Sequence, residues 1–77
     1  MPYSAKIIGL NAKADPELLG VALGRLCIAQ GIPALQVCID LNVSKSVVYR
    51  WFSGRGSVGK HLRPKVEAYY RATLPRA

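Results

Sequence analysis

Residues 31–54 read Gly31-Ile32-Pro33-Ala34-Leu35-Gln36-Val37-Cys38-Ile39-Asp40-Leu41-Asn42-Val43-Ser44-Lys45-Ser46-Val47-Val48-Tyr49-Arg50-Trp51-Phe52-Ser53-Gly54. Gly31-Ile32-Pro33 is a turn with Pro at or near a helix start. Leu35, Val37, Cys38 and Leu41 then supply the apolar positions of a short helix. Asn42 follows where a left-handed residue closes that helix, a conformation Asn tolerates better than most residues. Ser44 caps the next helix, from about Ser44 to Phe52, whose apolar positions are Val47, Val48, Trp51 and Phe52. The run Ser53-Gly54-Arg55-Gly56-Ser57 breaks it. Two helices meeting steeply across so tight a turn need a residue that accepts positive φ, here Asn42, and a small residue at their closest approach, here Cys38.

Working outward, Asp15-Pro16-Glu17 signals an earlier helix, with Asp as N-cap, Pro at the first helical position and an acid in the first turn. Leu19, Leu23, Leu26 and Gln30 keep helical spacing and Gly31 stops it, so a first helix is expected over about 16–30. A last helix is expected from about His61 to Thr73, with Pro64 tolerated only in its first turn and Pro75 after its end. Residues 1–14 read as a short N-terminal arm or strand, Tyr3 to Leu10 being its apolar part. The expected fold is all-α, a compact domain of four to five helices over 15–77.

The chain has 77 residues, room for one domain, and a 51% hydrophobic composition sufficient for one core. Its two cysteines, Cys27 and Cys38, do not amount to a disulfide framework, and no signal-peptide pattern precedes them. Buried thiols in a reducing cytosol are expected. One His and two Cys cannot supply the four ligands of a zinc site, so no metal or cofactor is expected. The uncharged stretches fall short of a bilayer span. With a single His, few acids and no Gly-rich phosphate loop, no catalytic set is visible, and an enzyme is not expected.

Charge is more informative. Eleven Lys and Arg against four Asp and Glu give a net +7, a balance that suits a polyanionic partner. The excess is confined to one half. Eight of the bases fall from Lys45 onward (45, 50, 55, 60, 63, 65, 71, 76), with Glu67 the only acid there. The first forty-four residues hold three of each sign.

The frame Gly31 to Gly54 resembles the helix-turn-helix of the phage Cro and repressor (XRE-type) family. The likeness rests on Gly31-Ile32, on Leu35, Val37 and Cys38, on Leu41-Asn42-Val43-Ser44, and on Val48, Arg50-Trp51 and Ser53-Gly54. It runs without insertion or deletion over about a third of the chain. It implies a lambda-repressor-like domain with its helix-turn-helix at about 33–53, binding double-stranded DNA in the bacterial cytoplasm, with the helix 44–52 in the major groove. It also implies a homodimer reading a pseudo-palindromic operator, and the activity of a transcriptional regulator, a repressor of a phage or mobile element.

Within that resemblance, Lys45 and Ser46 at the start of the helix are candidates for base edges. Arg50, four residues after Ser46 on the same face, is a candidate for bidentate reading of a guanine. Val47 either touches a thymine methyl or borders the core, and Tyr49 either bonds a phosphate or packs. Backbone contacts are expected from Ser44 and Tyr49, from N–H groups near Ala34 at the other helix start, and from Arg55, Lys60, His61 and Arg63. Each of these cations could equally be a solvated surface charge.

One departure stands out. The first helix is apolar nearly all round: where the family carries Arg and Glu, this chain has Cys27, with Val21, Gly24, Ile28 and Ala29 at the surrounding exposed places. Either Ile7, Ile8 and Leu10 fold over that helix or a second subunit covers it. Two other function classes stay open: an interaction module gripping a protein through this apolar face, and an accessory of DNA packaging or recombination.

Overall fold

The computed structural model describes residues 3–75, and these form five α-helices with no strand among them. They are α1 (Ala5–Lys13), α2 (Leu19–Gln30), α3 (Ala34–Leu41), α4 (Lys45–Phe52) and α5 (Arg63–Thr73). The all-helical expectation holds. No helix among the described residues is long and apolar enough to cross a membrane.

The N-terminal segment is neither an arm nor a strand. Ser4 caps α1 by accepting a hydrogen bond from the Ile7 N–H, and the helix packs against both α2 and α4. Its one fully buried side chain is Asn11. The Asn11 amide donates to the carbonyl oxygens of Val21 at 3.2 Å and Phe52 at 2.7 Å, joining three helices in the interior. Arg25 of α2 fixes the other side of the same helix end. Its Nη2 donates to the carbonyls of Asn11, Ala12 and Ala14 at the C-terminal end of α1.

The expected helix start at Asp15-Pro16 is also corrected. Asp15 Oδ1 accepts from the Glu17 N–H at 2.9 Å, an Asx turn, and helical structure begins only at Leu19. The same local chemistry that caps a helix also closes a turn. Here the turn is required, because the chain must reverse from α1 to lay α2 beside it.

α2 is the centre of the fold, packed on α1, α4 and α5. Val21, Leu23 and Cys27 have no exposed surface. Two glycines explain how α4 comes so close. A Cβ at Gly20 would stand 2.6 Å from Trp51 Cβ, and one at Gly24 would stand 2.7 Å from Asn11 Nδ2 and 2.8 Å from Phe52 Cγ. The expectation that Val21 and Gly24 lie on the outer side of this helix is therefore overturned: both are buried, Ile28 is half-buried, and only Ala29 is exposed. The apolar helix is covered from within the chain, by α4 and by Ile7 and Ile8 of α1 packing on the core.

The remaining joints follow the sequence closely. Gly31 ends α2 at φ 70°, and Asn42 ends α3 at φ 56°, each left-handed. Pro64 sits in the first turn of α5, which begins at Arg63 rather than His61. One position in α3 is reversed: Ala34 is buried while Leu35, expected as an inward residue, is 54% exposed. The inward face of α3 is Ala34, Val37, Cys38 and Leu41. Tyr69 donates to Asp40 at 2.7 Å and Lys65 Nζ to the Leu41 carbonyl at 3.1 Å, so α5 ties down the C-terminal end of α3. Tyr3 lies beneath, its hydroxyl donating to the Ile32 carbonyl and its ring 5.9 Å from that of Phe52. Burial holds the Tyr3 hydroxyl well above the usual tyrosine range.

Candidate nucleic-acid interface

The joint between α3 and α4 is built from three residues. Asn42 turns the chain, the Val43 N–H donates to the Cys38 carbonyl at 3.1 Å, and Ser44 Oγ accepts from the Val47 N–H at 3.4 Å. Cys38, where a small residue is expected, is buried.

At about 100° per residue, α4 divides cleanly. Val48, Trp51 and Phe52 are buried and fall within one arc with Val47, which is half-buried. Lys45, Tyr49, Ser53, Ser46 and Arg50 follow in that angular order on the other side, across an arc of about 140°. Lys45, Ser46 and Arg50 are exposed. Three of the four residues proposed for base edges are thus brought onto one solvent-facing strip, and Val47 stands at its border. Val47 and Tyr49 both pack against the core, so packing accounts for part of each side chain. Ser53 caps the strip, its Oγ donating to the Tyr49 carbonyl at 2.8 Å.

The loop after α4 folds back along this helix. Gly54 takes φ 75°, the Arg55 N–H donates to the Arg50 carbonyl, and Gly56 lies under the Arg50 guanidinium, where a Cβ would stand 3.6 Å from Nε. The result is a groove of about 300 Å³ between α4 and the loop, lined by Val47, Arg50, Trp51, Ser57, His61 and Leu62 among others. Its floor is apolar and two of its rim groups, Arg50 and His61, are basic. Ser57 was not visible as a site residue in the sequence, because it lies in an aperiodic loop where no spacing singles it out.

The other candidates are distributed less evenly. Arg55, Lys60 and His61 are exposed. Arg63 is exposed as well but pairs with Glu67 at 3.2 Å; an exposed pair of this kind holds its partners weakly and leaves the cation available to a phosphate. Lys65 is exposed too, with its Nζ turned to the Leu41 carbonyl at the end of α3. At the start of α3, Ala34 is buried and no side chain caps the helix, so any role there belongs to its first-turn N–H groups. Among the described residues no group of three or more His, Cys, Asp or Glu converges to hold a metal.

Comparison with protein-family models, with curated proteins and with solved structures finds no match for this chain.

Proposed function

We propose that this is a sequence-specific double-stranded DNA-binding protein, a transcriptional regulator of the phage or mobile-element repressor type. It reads the major groove with α4, and α3-turn-α4 is a helix-turn-helix of the lambda-repressor-like kind. The observation that carries the reading is the division of α4. One arc is core, and the opposite arc presents Lys45, Ser46 and Arg50 to solvent. An α-helix is about 10–12 Å across with its side chains, and the major groove, about 12 Å wide, admits one.

In this reading Lys45 and Ser46 meet base edges at the leading end of the helix, and Arg50 reaches a guanine one turn further on. Ser44, Tyr49, Arg55, Lys60, His61 and Arg63, with the N–H groups at Ala34, hold the flanking phosphates. A homodimer on a pseudo-palindromic operator is one arrangement of this reading, which itself requires only one copy per groove. The rival reading, a protein-gripping surface on the apolar face of α2, loses Val21 and Gly24, which the fold consumes as core.

Salt dependence tests the proposal. Each phosphate neutralised contributes a slope of about −0.9 to the dependence of log affinity on log salt. Binding to duplex DNA with a slope reporting several phosphates supports it. An affinity for duplex DNA that does not change with salt contradicts it.

A further inference from the structure

The groove between α4 and the loop after it has an apolar lining for which the DNA reading has no use. One wall is Val47, Arg50 and Trp51, which share a face of α4 by their i, i+3, i+4 spacing. The other wall is the loop, from Gly56 and Ser57 through Gly59 to His61 and Leu62. The Arg55 N–H ties the two together by donating to the Arg50 carbonyl at 3.0 Å. Bare backbone lies against both basic side chains. A Cβ at Gly56 would stand 3.6 Å from Arg50 Nε, and one at Gly59 would stand 3.4 Å from His61 Cε1.

We propose that this groove binds a small carboxylate with an apolar, single-ring body, and that this ligand competes with DNA for Arg50. Charge decides the sign of the ligand. Among the described residues no acid lines the groove. Asp15 is engaged by the Glu17 N–H, Asp40 by Tyr69 and Gln36, and Glu67 by Arg63. The Arg63–Glu67 pair is the one ion pair among the described residues, so the Arg50 charge at the groove's edge has no counter-ion there. A guanidinium meets a carboxylate with two parallel hydrogen bonds. The His61 ring and the Ser57 hydroxyl are further donors in the same lining.

Apolar surface decides the rest of the ligand. Val47, Trp51 and Leu62 line the groove, and Val47 and Leu62 are only half-buried. An inorganic anion leaves that surface in contact with water, whereas a ring removes it from water. The volume of about 300 Å³ stands at the small end of ligand sites, which run from about 300 to 1,000 Å³. One ring with its carboxylate is a ligand of that size.

The competition deepens the proposed function and rests on it. Arg50 is the residue that reaches a guanine in that reading, so one guanidinium serves ligand and DNA in turn. At a ligand concentration ten times its Kd, apparent affinity for the preferred duplex should fall about tenfold.

Two measurements on the full chain test this, and the first needs no DNA. Trp51 is the only tryptophan of the chain, and it lines the groove, so its fluorescence reports occupancy. Benzoate is the probe, benzamide its uncharged counterpart and inorganic phosphate an anion without the ring, each titrated at constant ionic strength. A saturable change with benzoate, absent with the other two, is expected. Arg50→Gln should keep the helical circular-dichroism signal and raise the benzoate Kd about tenfold or more. Lys13→Gln, which removes an exposed charge on α1 outside the groove, should leave that Kd unchanged. No saturable change with benzoate overturns the site, as does an equal response to benzamide or to phosphate. Emission that shifts with protein concentration alone puts a second copy of the chain in the groove and overturns it too.

In the second measurement, benzoate is added to the protein on its preferred duplex, with sodium chloride replaced mole for mole. Release of the duplex, and loss of this effect in Arg50→Gln, is the expected result. Benzoate that binds by fluorescence yet leaves duplex affinity unchanged overturns the competition. Failure to bind any duplex overturns the DNA reading and the competition with it, and the groove then stands or falls by the fluorescence result.

Discussion

The side-chain amide of Asn11 donates to the carbonyl oxygen of Phe52 at 2.7 Å, joining the N-terminal helix to the last residue of α4. A helix end leaves its last carbonyls unpaired, and this one is buried. Asn11→Ala removes the donor and leaves buried acceptors behind. It should cost about 1–3 kcal/mol in chemical denaturation. Asn11→Asp should cost more, since it sets a carboxylate against two carbonyl oxygens. DNA affinity of the folded Asn11→Ala protein should be close to wild type, because α4 keeps its own exposed arc.

The glycines of the two long faces make predictions of opposite sign. Gly9 lies in α1 with nothing within 4 Å of a Cβ, so Gly9→Ala should stabilise the chain by roughly 0.5–1 kcal/mol through helix propensity. At Gly20 the new methyl would meet Trp51 at 2.6 Å from its Cβ and 3.0 Å from its Cα, and neither atom can turn aside. Gly20→Ala should lose about 1–3 kcal/mol net to overpacking. Thermal melting of the two variants decides both.

Alkaline stability should depend on Cys27. Burial pushes its thiol from the ordinary 9.0 up to about 11, so the folded chain holds the proton more tightly than the unfolded one. This contribution is complete below about pH 9 and is lost as the pH rises through about 11. Buried Tyr3, shifted in the same direction, adds to the loss at higher pH. Denaturant midpoints measured across this range should fall with pH, and Cys27→Ala should fall less steeply over the same interval, from a lower starting stability.

Arg50 and Lys60 should separate sequence reading from backbone attachment. If Arg50 pairs with a guanine, Arg50→Ala weakens the preferred site by about 1–3 kcal/mol and barely alters binding to unrelated duplexes. Lys60→Ala should weaken all duplexes alike and lower the salt slope by about 1. Fluorescence anisotropy on a preferred and a scrambled duplex, at several salt concentrations, measures both.

What could be read in the sequence was whatever is decided locally. Gly31, Asn42 and Ser44 act on their immediate neighbours, so the two turns and the limits of α3 and α4 follow from residue type and spacing. α1 was missed because the stripe Ile7, Ile8, Asn11 carries an amide at its most buried position. That amide is satisfied by residues 21 and 52, which lie far off in the chain. Asp15 signals a cap, and its side chain does bond the backbone two residues on, but tertiary packing uses that bond for a turn. Leu35 and Ala34 exchange places for a similar reason: the close approach of α3 to its neighbours admits the smaller residue. The exposed arc of α4 was legible from periodicity, whereas the groove formed with Gly56 and Ser57 depends on how an aperiodic loop folds back.

The central claim is that α4 reads sequence through Lys45, Ser46 and Arg50, and selection of bound duplexes from random DNA at physiological salt tests it most directly. Enrichment of a short motif that contains a guanine, with preference at that guanine relaxed when the selection is repeated with Arg50→Ala, is the expected result. No enrichment at all, or a motif that Arg50→Ala leaves unchanged at every position, contradicts it.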